Sequence, residues 1–405
     1  MKKTNTNTAF AFLVTLFFMW AFLTAMNDIL IPFVKELFSF GYTEAALVQF
    51  CFFGAFALMA IPASKVLEKV GYKNGIVIGL CIMGIGALLF YPASKAVYYP
   101  LFLGALFVLA TGVTMLQVAA NPYVAVLGSP ETAASRLNLA QGFNSIAKIL
   151  APLFGSYFIL AGMQDLPTEQ QAEAVQVPYI GLGIALFLLA SVFWFLKLPD
   201  MKDLDGMQEE AIVNTNKKSI WEFPHLLLGA LAIFMYVGAE VSVASFLTSL
   251  LGEDYIAGLK PEDAGRYLSF YWGGLMVGRF LGAAILQKIK SQNLLAIMAV
   301  SAMVLLVIGI LSTGWVAAWC IILVGFCNAI MWSNIFTLSI DGLGKFTSQG
   351  SGLLVTAIVG GAILPLLQGF LADKIGLQLS YIVPVFAFGY ILYYALRGYK
   401  MGKVS

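Results

Sequence analysis

The feature that most restricts this chain is a succession of about twelve apolar runs, most of them near the length that crosses a bilayer. A hydrocarbon core of ~30 Å takes about 20 apolar residues as a helix, and backbone groups facing lipid must find their hydrogen bonds inside the same segment. The runs are therefore expected as helices over residues 8–31, 45–66, 75–91, 99–126, 137–161 and 177–195, then 224–251, 265–289, 294–311, 316–340, 350–372 and 380–396. With 60% of residues hydrophobic and only 11% charged, too little polar surface is left to cover a water-soluble domain. The expected fold class is an all-α membrane protein of twelve transmembrane helices.

Lys2 and Lys3 precede the first run, but no small-residue cleavage site follows and Asp28 lies within it, so the run reads as a span rather than a signal peptide. Most of the 23 Lys and Arg fall on the side of the N-terminus, with Lys35, Lys95, Lys260, Arg266 and Lys374 opposite and Lys148 and Arg279 in or at the edge of helices. Positive loops face the cytoplasm, which places both termini there, in a cell inner membrane. Cys51, Cys81, Cys320 and Cys327 all lie in expected spans at no metal-ligand spacing, so neither disulfides nor a zinc site is indicated. The single histidine, His225, opens a helix and reads as interfacial. A net charge of +2 gives no sign of a nucleic-acid partner.

Between the sixth and seventh runs lies the most polar stretch of the chain, with charges of both signs and no hydrophobic period. It divides the sequence into a six-helix half over 1–196, a cytoplasmic linker over 197–222 and a second six-helix half over 223–405. The halves echo one another: Ile149-Leu150-Ala151-Pro152-Leu153-Phe154-Gly155 resembles Ile363-Leu364-Pro365-Leu366-Leu367-Gln368-Gly369. The loop Ser64-Lys65-Val66-Leu67-Glu68-Lys69-Val70-Gly71-Tyr72-Lys73 is a degenerate G-x-x-x-D-R-x-G-R-K, with Ser64 and Tyr72 departing from it. Together these features resemble the major facilitator superfamily, which implies two pseudo-symmetric halves with substrate bound near the midplane.

An ionisable group inside a span costs at least ~2.5–3.5 kcal/mol on insertion scales and is read first as functional. Asp28 and Glu240 are the two acids well inside expected spans, one in the first helix of each half, and Lys148 is the base placed deepest. These three are the candidates for proton coupling. Residues three and four apart share a helix face, so Thr24, Asn27 and Asp28 form one polar stripe. Thr114, Gln117 and Asn121 form a second, and Asn138, Gln141, Asn144 and Lys148 a third. Amides both donate and accept hydrogen bonds, which suits the hydroxyls of a neutral polyol. The same amides also serve to hold membrane helices together, and that alternative stands most strongly for Asn138 and Asn144. The candidate substrate-binding set is Asn27, Gln117, Asn121, Gln141 and Asn144, with Trp272 and Trp332 as aromatic faces that could stack on a sugar ring. Pro122 and Pro152 fall inside helices and favour kinks; Gly273, Gly274, Gly278 and Gly282 are expected at a close helix contact.

Four stretches are more specific: Ala25-Met26-Asn27-Asp28-Ile29-Leu30-Ile31-Pro32, Gln117-Val118-Ala119-Ala120-Asn121-Pro122-Tyr123, Arg136-Leu137-Asn138-Leu139-Ala140-Gln141-Gly142-Phe143-Asn144-Ser145 and Tyr236-Val237-Gly238-Ala239-Glu240-Val241-Ser242. On these the chain resembles, over nearly its whole length, the sugar symporters that include L-fucose permease and the glucose/galactose transporters. The resemblance implies that Asp28 is the protonation site, that Gln141 and Trp332 contact sugar, and that the protein is a monomer. Gln117, where the fucose branch has glutamate, and Glu240, where it has glutamine, both look like the glucose/galactose branch. Lys148 departs from the pattern and is expected to take the place of a bound cation in one state, paired with Asp28 or Glu240. The function expected is import of a neutral hexose by alternating access with proton symport. The alternatives are sodium coupling and an L-fucose-type permease. An enzyme is disfavoured because no nucleophile and base stand together, and no cofactor is expected. A channel would want a continuous polar pore.

Overall fold

The computed structural model describes residues 6–38, 42–160, 168–196, 198 and 218–402. Within its helices the side chains of 27–29, 31, 32, 35, 36, 42–46, 49, 156, 160, 168, 169, 261 and 262 lie outside the description. Among the described residues every regular element is helical. The expected linker falls mostly outside them.

The first six long helices are α1 (Thr6–Leu37), α2 (Tyr42–Val70), α3 (Tyr72–Ala96), α4 (Tyr99–Val126), α5 (Ala133–Gly155) and α6 (Gln176–Phe195). After the linker come α7 (Pro224–Gly252), α8 (Pro261–Ile285), α9 (Ser291–Leu311), α10 (Gly314–Asn328), α11 (Met331–Ile340), α12 (Thr347–Thr356), α13 (Gly360–Ile375) and α14 (Ile382–Leu396). Two of the expected runs are thus interrupted: 316–340 divides into α10 and α11, and 350–372 into α12, a 3₁₀ turn at Ala357–Val359, and α13. Pro152 lies inside α5, which passes at Ser156–Leu160 into a π turn, consistent with its missing backbone donor.

Eleven helical stretches among the described residues are long and apolar enough to cross a membrane. The exception is α5, whose Arg136, Asn138, Gln141, Asn144 and Lys148 dilute its hydropathy. Outward exposure supports lipid as solvent. Phe195 is 82% exposed and Leu311 80%, whereas Glu240 is 8% exposed and Arg279 4%. In water that distribution would be inverted; in lipid, polar side chains turn inward.

The described chain separates into two compact units, one of Met1–Leu127 with Phe143–Met207, the other of Gly128–Gly142 with Gln208–Ser405. The opening of α5 therefore groups with the second unit and the remainder with the first. In the first unit, α3 and α4 approach closely where a Cβ on Gly112 would lie 2.4 Å from the Met83 nitrogen. In the second, Gly274, Gly278 and Gly282 of α8 face residues 326–330, as their four-residue spacing suggests. Gly273 departs from that expectation, with nothing within 4 Å of where its Cβ would be.

Candidate functional site

Glu240 sits mid-way along α7, one helical turn after Tyr236, and Tyr236 Oη donates to its Oε2. Spacing of four residues on one helix brings the two side chains together. A second tyrosine reaches the same residue from α8, where Tyr271 Oη donates to the Glu240 main-chain oxygen at 3.1 Å. Tyr271 is fixed in turn from α10: Asn328 Nδ2 donates to its hydroxyl at 2.8 Å. The α10 backbone can come that near because Gly325 has no side chain; a Cβ there would lie 2.3 Å from the Tyr271 carbonyl oxygen. Tyr236, Tyr271 and Asn328 are all buried. The chain of contacts Asn328, Tyr271, Glu240, Tyr236 thus joins three helices around one carboxylate.

The opening of α5 runs along the end of α8 through a ladder of hydrogen bonds. Ser135 Oγ donates to the Ala283 oxygen at 2.6 Å, and Asn138 Nδ2 to the Arg279 oxygen at 2.7 Å. Ser333 Oγ donates to Asn138 Oδ1 at 3.3 Å. Arg279 Nη1 donates to the Gln141 oxygen at 3.1 Å, and its guanidinium lies within electrostatic reach of Tyr236. The sequence left Arg279 at a helix edge and ranked Lys148 as the deepest base. In the structure Arg279 is the more buried of the two, at 4% exposure, and Lys148 is half-buried. Counting charges near helix ends treats such a residue as interfacial, whereas here the opening of α5 covers it. Asn138 makes a helix-packing contact, the role its position at the start of the span suggested.

Trp332 is buried, stacks on Phe336 with ring centroids 5.9 Å apart and an interplanar angle of 25°, and its indole nitrogen has no hydrogen-bond partner. Trp272 is half-buried and meets Tyr271 edge to face at 5.2 Å. Trp272 therefore borders the Glu240 network through Tyr271, whereas Trp332 lies in α11 against Phe336.

In the first unit the candidates are more dispersed. Asn121, fully buried in α4, donates Nδ2 to the Gln117 oxygen at 2.9 Å, and its Oδ1 has no hydrogen-bond partner. Gln117 itself is half-buried. Asn144 donates Nδ2 to the Phe17 oxygen at 3.2 Å, tying α5 to α1. Asn27 and Asp28 lie on α1, but their side chains are outside the described residues.

Elsewhere, a groove on α3 and α6 lined by Val77, Cys81, Phe187 and Trp194 carries one hydroxyl, Ser191, which already donates to the Phe187 oxygen at 2.9 Å. It offers nothing to recognise a polar solute. Among the described residues no group of three or more His, Cys, Asp or Glu could hold a metal ion. The residues that sequence reasoning missed are Arg279, Tyr236, Tyr271 and Asn328. Tyr236 was within reach, four residues before an intramembrane acid; the others depend on contacts between distant segments.

Comparison with known proteins places this arrangement in a family. The model of the Major Facilitator Superfamily matches residues 8–358. The chain is 49% identical to the "Glucose/galactose transporter" of Brucella abortus over 98% of its own length and 96% of the relative's. It is 42% identical to the "Putative glucose/galactose transporter" of Helicobacter pylori over the full length of both. It is 32% identical to the "L-fucose-proton symporter" of Escherichia coli over 95% of this chain and 92% of that one. The crystal structure of the fucose:proton symporter of E. coli superposes with a TM-score of 0.85 at 29% identity, covering 99% of this chain and 100% of the other. The chain belongs to the Major Facilitator Superfamily, in the family that holds these glucose/galactose and L-fucose–proton transporters.

Proposed function

We propose that this protein is a secondary active transporter that imports a neutral hexose of the glucose or galactose type by alternating access, with a proton as the co-transported ion. The observation that carries the reading is the end-to-end match to a glucose/galactose transporter at 49% identity. The proton is supported by the more distant match to a symporter whose name specifies one.

In this reading Asp28 takes a proton from outside and releases it inside. Protonation removes a charge from the membrane interior, where charges are costly, and so lowers the barrier to occlusion. Lys148 supplies a fixed positive charge in place of a bound cation, which disfavours sodium. The amides of Gln117, Asn121 and Gln141, with Asn27 and Asn144 beside them in their stripes, offer donors and acceptors to sugar hydroxyls, and Trp272 and Trp332 offer ring faces. The protein works as a monomer in a cell inner membrane with both termini cytoplasmic, and performs no covalent chemistry.

The test is competition for binding of a labelled hexose to the purified protein. Displacement by glucose and galactose at lower concentrations than by L-fucose is expected. Preferential displacement by L-fucose would move the assignment to a fucose-type permease.

A further inference from the structure

Glu240, like Asp28, is an acid inside an apolar span and by that token a candidate for proton coupling. Its surroundings suit another task. Of its two carboxylate oxygens, Oε2 accepts from Tyr236 and Oε1 makes no hydrogen bond among the described residues, while 8% of the residue remains accessible. The helix that carries it is pinned at this same residue by Tyr271, and Tyr271 is pinned by Asn328 and by the close passage of Gly325. A side chain whose rotamer and supporting helix are both held by hydrogen bonds is preorganised to receive a donor at its remaining oxygen. Two further buried polar atoms in the same unit are also without partners: Asn328 Oδ1, an acceptor, and Trp332 Nε1, a donor. Leaving such groups unsatisfied is costly, and a carboxylate acceptor suits a hydroxyl donor.

We propose that Glu240 is a specificity-determining residue whose free carboxylate oxygen accepts a hydrogen bond from one hydroxyl of the transported sugar, with Tyr236, Tyr271 and Asn328 as positioning residues. The proposal rests on the hexose-transport reading and deepens it. A carboxylate acceptor discriminates for a hydroxyl at one ring position and against an analogue with hydrogen there, because the charged oxygen is then left buried without a partner. This separates Glu240 from Asp28 by role: one recognises the sugar, the other carries the proton.

The experiment measures uptake of a hexose and of its monodeoxy analogues, each lacking one hydroxyl, by proteoliposomes holding the full chain as wild type, Glu240→Gln or Tyr236→Phe. In wild type one analogue is expected to show a kcat/KM reduced about tenfold to a hundredfold, the range for losing a hydrogen bond to a charged group. Glu240→Gln is expected to raise the KM for the parent hexose and to shrink that selectivity at least several-fold. The pH profile of proton-driven accumulation at saturating sugar should stay unchanged. Tyr236→Phe, which leaves the carboxylate in place but unheld, should shift selectivity in the same direction by a smaller factor; it also serves if Glu240→Gln does not insert. Selectivity unchanged in both variants overturns the proposal. Loss of proton-driven accumulation with sugar exchange retained in Glu240→Gln overturns it in favour of a proton carrier. Absence of uptake of every hexose by wild type overturns the transport reading itself, and this inference with it.

Discussion

The two units treat their buried polar side chains differently. In the first, Asn121 donates to the main chain of its own helix and Asn144 to the main chain of α1. In the second, bonds to main-chain oxygens, such as Asn138 to Arg279, stand beside bonds between side chains: Tyr236 to Glu240, Asn328 to Tyr271, Ser333 to Asn138. A bond to a helix carbonyl holds helices together and tolerates loss, since the carbonyl keeps its own helical partner. In a bond between buried side chains, deleting either member orphans the other. The difference teaches that Asn121 and Asn144 can each be replaced without orphaning another side chain, whereas Tyr236, Glu240, Tyr271 and Asn328 form a network that can present a fixed acceptor.

Thermal unfolding of the purified protein sharpens this contrast. Tyr271→Phe should have the largest effect, about 2–4 kcal/mol, because it removes two hydrogen bonds and leaves the Asn328 amide buried without an acceptor. Arg279→Ala should follow at about 1.5–3 kcal/mol, the loss of a charged donor to the Gln141 carbonyl. Gly325→Ala should cost about 1–3 kcal/mol by forcing α10 away from the Tyr271 carbonyl. Asn144→Ala should cost least, about 0.5–1.5 kcal/mol for one ordinary hydrogen bond. In a double-mutant cycle, Tyr271→Phe and Asn328→Ala should be non-additive by more than about 0.5 kcal/mol, while Asn121→Ala and Asn144→Ala should add. The reverse pattern of additivity would break the comparison.

Much of the fold was legible in the sequence because lipid imposes a one-dimensional rule: a span must be apolar, helical and of a set length. Even α5, which among the described residues falls short of a span on hydropathy, was legible as an apolar run over 137–161 despite Asn138, Gln141, Asn144 and Lys148. The interruption between α10 and α11 was not, since residues 329–330 carry no Gly or Pro to announce it. Within the site, Glu240 stood out because an acid in an apolar run is costly, and Tyr236 follows from helical spacing. Tyr271 and Asn328 lie 57 residues apart in sequence, and only packing of α8 on α10 brings them together. The burial of Arg279 was not legible for the complementary reason: its contacts come from a distant segment, residues 133–142, that sequence hydropathy cannot weigh.

The central claim is that a proton carried by Asp28 drives hexose accumulation. Its most direct test is uptake of labelled glucose and galactose by proteoliposomes under an inward proton gradient and, separately, an inward sodium gradient, comparing wild type with Asp28→Asn. The account predicts accumulation above equilibrium in wild type with the proton gradient alone, and in the variant only equilibration or exchange. Accumulation driven by sodium, or proton-driven accumulation that survives in Asp28→Asn, would contradict it.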